Sequence, residues 1–234
     1  MNKEPIKILY EDRAVIVIYK NAGIATQSAN VSRKDCVSLL KEHIRKNTPD
    51  LKTEPYLGIV HRLDQSVEGI LVFAKDRRAA AELSRQVQNG MMKKCYLAQV
   101  EGIVNAPADT ELTDMMYKDG KEKMAVIYDE STDPDKGKSK IARAPLQEAR
   151  LIYRTCSISE EDDRSVLSIR LITGRFHQIR TQLSHMGHPI VGDKKYGAVS
   201  DYPEGIALVA NRLEFIHPVT GEKVEKVVDF SFPL

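Results

Sequence analysis

Short apolar runs rich in β-branched residues recur along the chain and are separated by polar turns. Ile6–Tyr10 and Ala14–Lys20 are two such runs, and the polar link Glu11-Asp12-Arg13 between them predicts a β-hairpin. Gly69–Lys75 is apolar apart from its terminal lysine, which is typical of a buried strand. Comparable patterns predict further strands at Cys95–Val104, Met124–Tyr128, Gln147–Ser157, Ser165–Leu171, Ile206–Phe215 and Glu222–Phe230.

Other segments space their apolar residues as an amphipathic helix does. These segments are Cys36–Asn47, Arg77–Asn89 and the stretch from Thr173 to about Met186. Asp76 and Thr173 are suited to cap the N-termini of the last two helices, because their side-chain oxygens can accept from a free backbone N–H. Gly90 is placed to end the second helix.

Many strands with few helices between them predict an α+β fold, in which helices pack on a mixed, largely antiparallel β-sheet. No stretch is rich enough in Gly, Pro or Ser to divide independent domains, so a single domain over residues 1–234 is expected. The polar segment Asp129–Lys140 contains Pro134 and Gly137 and predicts an exposed loop, whose lysines are candidate RNA contacts.

Composition is that of an ordinary globular protein, with 42% hydrophobic and 29% charged residues and a net charge of +2. A near-neutral total does not exclude nucleic acid as a partner, because binding depends on where the charge lies. The basic residues cluster in Lys75-Asp76-Arg77-Arg78, Lys93-Lys94, Lys136-Gly137-Lys138-Ser139-Lys140 and Lys194-Lys195. Each cluster is equally compatible with a solvated surface.

Three scattered cysteines, Cys36, Cys95 and Cys156, show no metal or redox spacing, and we expect them to be reduced. The N-terminus lacks the apolar core of a signal peptide, and no apolar run approaches the length of a membrane span. A cytoplasmic protein without a membrane partner is therefore expected.

The segment His61-Arg62-Leu63-Asp64 places a carboxylate beside two basic groups, directly before the predicted buried strand. Positive neighbours keep a carboxylate ionised, as a nucleophile or base requires. On these residues alone, a structural ion pair with Arg62 is the simpler interpretation. A second basic cluster, Thr173-Gly174-Arg175-Phe176-His177-Gln178-Ile179-Arg180, lies far downstream and could meet the first.

These motifs resemble those of the RluA-type pseudouridine synthases. The resemblance rests on His61–Asp64 with Gly69–Lys75, Lys94–Ala98, Thr173–Arg180 with Gly187–Gly197, and Phe215–Gly221, in family order. It implies a pseudouridine synthase fold and the isomerisation of uridine to pseudouridine in rRNA or tRNA, without a metal or an organic cofactor. It assigns catalysis to Asp64, Tyr96 and Arg180, with Tyr96 stacking on the target base and Arg180 pairing with Asp64.

Contacts with RNA are expected from the residues around these three, and Arg62 resembles a residue that enters the space left by the displaced base. The remaining expected RNA contacts are His61, Lys94, Arg175, His177 and Gln178. His61 is also compatible with a packing role. A metal site built from His177, His185, His188 and Asp193 is the basis of a remote alternative, a metal-dependent hydrolase, but no metal is expected.

Four places depart from the usual family pattern: Asn21, Val67-Glu68, Gln182 and Val209. None of them touches Asp64, Tyr96 or Arg180, so catalysis is expected to survive. They are the basis of an alternative function, an RNA chaperone or assembly factor that retains the fold and RNA binding but not catalysis. Only a few residues precede the first strand, so an N-terminal S4-type RNA-binding domain is expected to be absent, and the protein is expected to act as a monomer.

Overall fold

The computed structural model describes residues 4–29, 33–50, 52–129 and 145–232. Most of the predicted loop Asp129–Lys140 lies outside these residues, as does the lysine cluster Lys136–Lys140. The chain divides into two compact units, one formed by Met1–Lys94 with Val209–Leu234 and the other by Cys95–Leu208. That the whole chain forms a single domain stays a prediction.

The described part of the first unit is built on six strands and two helices. The strands are β1 (Ile6–Glu11), β2 (Val15–Lys20), β3 (Gly58–Ile59), β4 (Glu68–Ala74), β10 (Leu208–Ile216) and β11 (Lys223–Val227). β1 pairs antiparallel with β2, and β2 pairs antiparallel with β4. β10 is parallel to β4 at its start and antiparallel to β11, whereas β3 pairs with the other end of β4. The predicted hairpin β1–β2 is confirmed.

Every residue of β4 is buried, which is expected of a strand covered on both faces. Helix α2 (Arg77–Gln88) packs Ala79 and Leu83 into a core that includes Val72 and Phe215. Asp76 caps this helix as predicted, because its side chain accepts from Ala79 N. Helix α1 (Cys36–Asn47) begins at a capping box between Asp35 and Ser38.

Within its described residues, the second unit contains five strands in the spatial order β5-β9-β8-β6-β7, with antiparallel neighbours. They are β5 (Lys93–Glu101), β6 (Thr110–Asp119), β7 (Met124–Ile127), β8 (Gln147–Ser159) and β9 (Arg164–Leu171). Helix α3 (Gln178–His185) and a 3-10 turn (Lys194–Tyr196) complete the unit. With one parallel pair in the first unit, the predicted mixed, mostly antiparallel sheet architecture with packed helices is confirmed.

The predicted start of the third helix is wrong. Thr173 does not cap it, since α3 begins at Gln178 and His177 adopts a left-handed conformation with φ 53°. Instead the Thr173 hydroxyl donates to the side-chain oxygen of Gln178 at 2.8 Å, and that oxygen also accepts from Arg175 N at 3.0 Å. These bonds hold residues 173–177 as a loop rather than a helical turn.

Among the described residues, no helix is long and apolar enough to cross a bilayer.

Candidate active site

Asp64 lies in the loop between β3 and β4, and this loop is bound on both sides of the carboxylate by residues 23–26. The hydroxyl of Thr26 donates to Leu63 O at 2.9 Å and accepts from Leu63 N at 3.2 Å. On the other side, Gly23 N donates to Gln65 O at 2.8 Å, and the Gln65 amide donates back to Gly23 O at 2.8 Å. Asp64 itself is half-buried. The backbone that carries the carboxylate is thereby fixed before any substrate binds.

Lys20 is a fully buried cation beside this loop, and the sequence interpretation did not single it out. Its ammonium donates to Ile24 O at 2.9 Å and Asn21 O at 3.2 Å, with Gln65 O at 3.4 Å. Burial lowers the pKa of Lys20 to about 8, although the negative charge of Asp64 acts in the opposite direction. Lys20 therefore places positive charge near Asp64. It also links Gln65, the residue after Asp64, to the turn at residues 21–24.

His61 and Lys94 are held in the same unit as Asp64. The His61 Nε2 accepts from Val72 N at 3.2 Å, so the ring is bonded to the backbone of β4. Burial, together with the nearby Lys94 charge, lowers the pKa of His61 to about 3, so the imidazole is neutral at pH 7. Burial also lowers the pKa of Lys94. Arg62 is exposed and therefore accessible to a ligand.

Two departures from the family pattern are direct partners in the structure. Glu68 and Val209 lie opposite each other in the parallel pairing of β4 with β10. Val209 is fully buried, and the buried carboxylate of Glu68 accepts from the Tyr19 hydroxyl at 2.7 Å. The changes at these two positions are therefore a local variation of one strand pair rather than independent substitutions.

In the second unit, Tyr96 and Arg180 are both largely buried. Tyr96 lies in β5 opposite Ile169 of β9 and is 6% exposed. Arg180 lies in α3 and donates to Asp193 through Nε and Nη2, at 2.7 Å and 2.8 Å. The Tyr196 ring is 4.9 Å from the guanidinium carbon. Asp193 was considered in the sequence only as a metal ligand, and its bonds to Arg180 reveal a different role. The predicted Arg180–Asp64 pair stays a prediction.

The loop before α3 carries the other expected RNA contacts. His177 Nδ1 lies 2.8 Å from the Tyr196 hydroxyl, which also accepts from Ala125 N at 2.8 Å. Arg175 donates from Nε to Glu148 O at 2.9 Å. Gln178 is buried and donates to Arg150 O at 3.0 Å, so its side chain is used to hold the loop.

The residues of the alternative metal site are bonded to protein groups. His188 Nδ1 lies 2.9 Å from Glu101 O, and Asp193 holds Arg180. No group of three or more His, Cys, Asp or Glu residues that could hold a metal ion occurs in the described parts of the chain.

Gln182, another departure from the family pattern, is buried and donates to the Asp114 carboxylate at 2.7 Å.

Comparison with known proteins identifies the family. The profile of the RNA pseudouridylate synthase family matches residues 14–185. The chain belongs to the RNA pseudouridylate synthase family. The match spans Asp64, Tyr96 and Arg180, and the resemblance to RluA-type synthases is confirmed.

Individual relatives agree with this membership. The chain is 34% identical over 233 residues to the ribosomal large subunit pseudouridine synthase D of Nitrosomonas europaea, covering 93% of this chain and 60% of that protein. It is 31% identical over 229 residues to the uncharacterized RNA pseudouridine synthase YhcT of Bacillus subtilis, covering 97% and 69%. The chain thus spans less than two thirds of the first relative's length.

A solved structure shares the pseudouridylate synthase fold. Human RNA pseudouridylate synthase domain containing 1 superposes with a TM-score of 0.72 at 24% identity, over 97% of this chain and 84% of that one.

Proposed function

We propose that this protein isomerises specific uridines in rRNA or tRNA to pseudouridine, with Asp64 as the essential carboxylate. Family membership supports the reaction class. The observation that carries the assignment of Asp64 is its fixed loop, in which Thr26, Gly23 and Lys20 bind the backbone on either side of it. A preorganised carboxylate needs no rearrangement when the substrate arrives.

The proposed reaction begins with a uridine flipped out of the RNA, at a cost of a few kcal/mol. Tyr96 recovers about 1–3 kcal/mol of this cost by stacking on the uracil. Asp64 attacks the sugar or takes its proton as the C1′–N1 bond breaks and the uracil carries the bonding pair away. The uracil turns and C5 bonds to C1′, which releases Asp64 from the sugar or returns the proton that it took. The C5 proton is lost to solvent, and N1 takes up a proton. Every atom except that exchanged proton stays in the RNA.

Arg180 is proposed to hold the Asp64 carboxylate ionised, since an opposite charge nearby lowers an aspartate pKa. Its own orientation is supported by the two bonds to Asp193. Arg62, His61, Lys94, Arg175, His177 and Gln178 are proposed to contact the RNA. His61 Nδ1 is buried and both polar atoms of the Gln178 side chain are bonded within the protein, so these two residues are proposed to act by positioning their neighbours.

Loss of the C5 proton provides the test. RNA labelled with tritium at C5 of uridine should release tritium to water with the wild-type protein. Asp64→Asn should reduce the rate by at least about 10³-fold. Asp50→Asn, which neutralises an exposed carboxylate in the same unit, is the matched control and should retain the wild-type rate. Equal rates in all three proteins would refute the role of Asp64.

The alternative, an RNA chaperone that keeps the fold without catalysis, predicts a different result. Wild type would bind RNA and release no tritium, and Asp64→Asn would bind equally well. The departures at Glu68 and Val209 are the observation that favours it, because they alter the strand that follows Asp64.

We further propose that the protein acts as a monomer in the cytoplasm. The three cysteines are free, which suits a reducing compartment. Light scattering during size-exclusion chromatography should give the mass of one chain, 26.3 kDa.

A further inference from the structure

Phe176 presents an aromatic ring on the surface of the second unit, directly before α3. Its side chain is 37% exposed. The left-handed conformation of His177 keeps this part of the chain out of the helix. The His177 ring stacks on Phe176 with the centroids 3.7 Å apart and the planes 20° apart. One side of the Phe176 ring is therefore supported by a residue that is itself bonded to the buried Tyr196.

One cation lies over this ring, and a second precedes it in the sequence. Lys118 Nζ, on the exposed side of β6, lies 4.6 Å from the Phe176 ring centroid. Arg175 is the neighbour in sequence, and its Nε is oriented by Glu148 O. Within the described residues neither cation forms an ion pair with a carboxylate. An exposed aromatic ring with one cation over it and another adjacent in sequence, neither with an acidic partner, is complementary to a base and its phosphates.

We propose that Phe176 is a stacking platform for an unpaired nucleobase that flanks the target uridine, and that Lys118 and Arg175 bind the adjoining phosphates. The proposal rests on the proposed function, since it takes RNA as the ligand. The ammonium of Lys118 is mobile on its long stem, so a phosphate can draw it from the ring while the base takes its place. The His177 support leaves the ring oriented during this exchange.

Stacking and phosphate contacts together determine which nucleotides this platform binds. Every base has a π-face, so stacking on Phe176 selects an unstacked nucleotide rather than a particular base. The phosphate contacts make the affinity fall with salt. The platform therefore adds selectivity for single-stranded or looped RNA around the target.

The absence of tryptophan from the sequence allows a direct test. Phe176→Trp places a single indole on the platform, and Ile158→Trp is the control. Ile158 is 42% exposed in the same strand as Glu148 but ten residues farther along, about 33 Å away in an extended strand. The probe is a ten-nucleotide oligouridylate titrated into the full chain. Fluorescence of Phe176→Trp should be quenched by stacking, and that of Ile158→Trp should not change.

Affinity for the same oligouridylate gives a second measurement. Phe176→Ala and Phe176→Leu should weaken binding about 10-fold, whereas Phe176→Tyr should bind as wild type does. Lys118→Gln should reduce the slope of log affinity against log salt by about 0.7, the value for one phosphate on a single strand. Equal binding by the Ala and Tyr variants, an unquenched Phe176→Trp, or no binding of the probe by wild type would each overturn the platform.

The tritium assay separates this inference from the proposed function. A wild-type protein that releases tritium while Phe176→Ala leaves the KM for RNA unchanged would refute the platform alone. A wild-type protein that releases no tritium, yet quenches at Phe176→Trp and loses affinity in Phe176→Ala, would support the platform and refute the isomerase proposal.

Discussion

Arg180 is held by Asp193 through two parallel hydrogen bonds, from Nε to Oδ2 at 2.7 Å and from Nη2 to Oδ1 at 2.8 Å. The two side chains are 8% and 1% exposed, so this ion pair is screened little by solvent. A bidentate pair fixes the plane of the guanidinium as well as its position. Asp193 therefore orients the arginine that is proposed to hold the Asp64 carboxylate.

Asp193→Asn should impair both stability and activity. The substitution removes the charge that compensates Arg180 in a buried site, and breaking such a pair costs about 3–5 kcal/mol of unfolding free energy. The guanidinium would also lose its fixed orientation, so the rate of tritium release should fall at saturating RNA. Urea denaturation and the tritium assay measure the two effects.

Asp201→Asn is the matched control for this substitution. Asp201 also pairs with a cation, Lys194 at 3.1 Å, but its side chain is 95% exposed. Exposed pairs contribute about 0–1 kcal/mol, so stability and rate should stay near wild type. If the two variants lost stability equally, the burial of the Arg180–Asp193 pair would not be the cause.

Elements whose signals are local could be predicted from the sequence. Helix α1 has the predicted bounds Cys36–Asn47, and Asp76 caps α2 as predicted. In both helices the capping side chain, Asp35 or Asp76, lies within one turn of the backbone N–H group that it binds. The hairpin β1–β2 is likewise formed by residues that are adjacent in sequence.

Elements that depend on distant partners were missed. Strand β6 alternates charged and apolar residues weakly, and its pairing with β8 across a long sequence separation was not predicted. The early start predicted for α3 failed because Gln178 binds Arg150 O in β8. Periodicity within a segment contains no information about such partners.

The same distinction applies to the candidate site. Asp64 could be singled out as a candidate because its positive neighbours are adjacent in sequence. Its predicted catalytic role, like those of Tyr96 and Arg180, came from the family resemblance. Lys20 and Asp193 were not predicted as partners because the structure brings them to Gln65 and Arg180 from separate segments.

Gly69→Ala should strongly destabilise the protein. Gly69 has φ +132°, and a Cβ there would lie 2.4 Å from Ala210 O in the neighbouring strand. Both the backbone strain and the clash act against the parallel β4–β10 pairing, so we expect a loss of about 2–4 kcal/mol in unfolding free energy.

Gly120→Ala tests whether this loss is specific. A Cβ at Gly120 would have no neighbour within 4 Å, and its stability should lie within about 0.5 kcal/mol of wild type. Urea denaturation of both variants measures the difference. A Gly69→Ala protein as stable as Gly120→Ala would contradict the predicted clash.

Lys20 should make stability rise with pH in the alkaline range. Its folded pKa of about 8 lies below its ordinary value of 10.5, so between these values the unfolded chain binds more protons than the folded one. The burial penalty of the cation is present below pH 8 and disappears as pH rises to 10.5. The expected slope is about 1.4 kcal/mol per pH unit within that window.

The thiol of Cys36, which interacts with Lys20, changes stability with pH in the opposite direction. It must be removed for this measurement. Burial raises the pKa of Cys36 to about 11, so its contribution to stability falls as pH rises through the upper part of the range. Urea denaturation in a Cys36→Ala background removes this opposing contribution. Burial also lowers the pKa of Lys94, so the slope is compared between variants. Lys20→Met in that background should lower the slope by about 1.4 kcal/mol per pH unit between pH 8 and pH 10.5, and an unchanged slope would contradict its assignment to Lys20.

His61 should remain neutral well below neutral pH and should contribute to acid unfolding. Its folded pKa of about 3 lies below its ordinary value of 6.5, so the unfolded chain takes up a proton first and stability falls as pH drops below 6.5. Because Nε2 accepts from Val72 N, the neutral ring carries its proton on Nδ1. Nitrogen NMR shifts should show this tautomer unchanged from pH 8 to pH 5. Between pH 6.5 and pH 3, His61→Gln should remove up to about 1.4 kcal/mol of acid destabilisation per pH unit. A His61 ring that titrates near pH 6 would contradict its burial against β4.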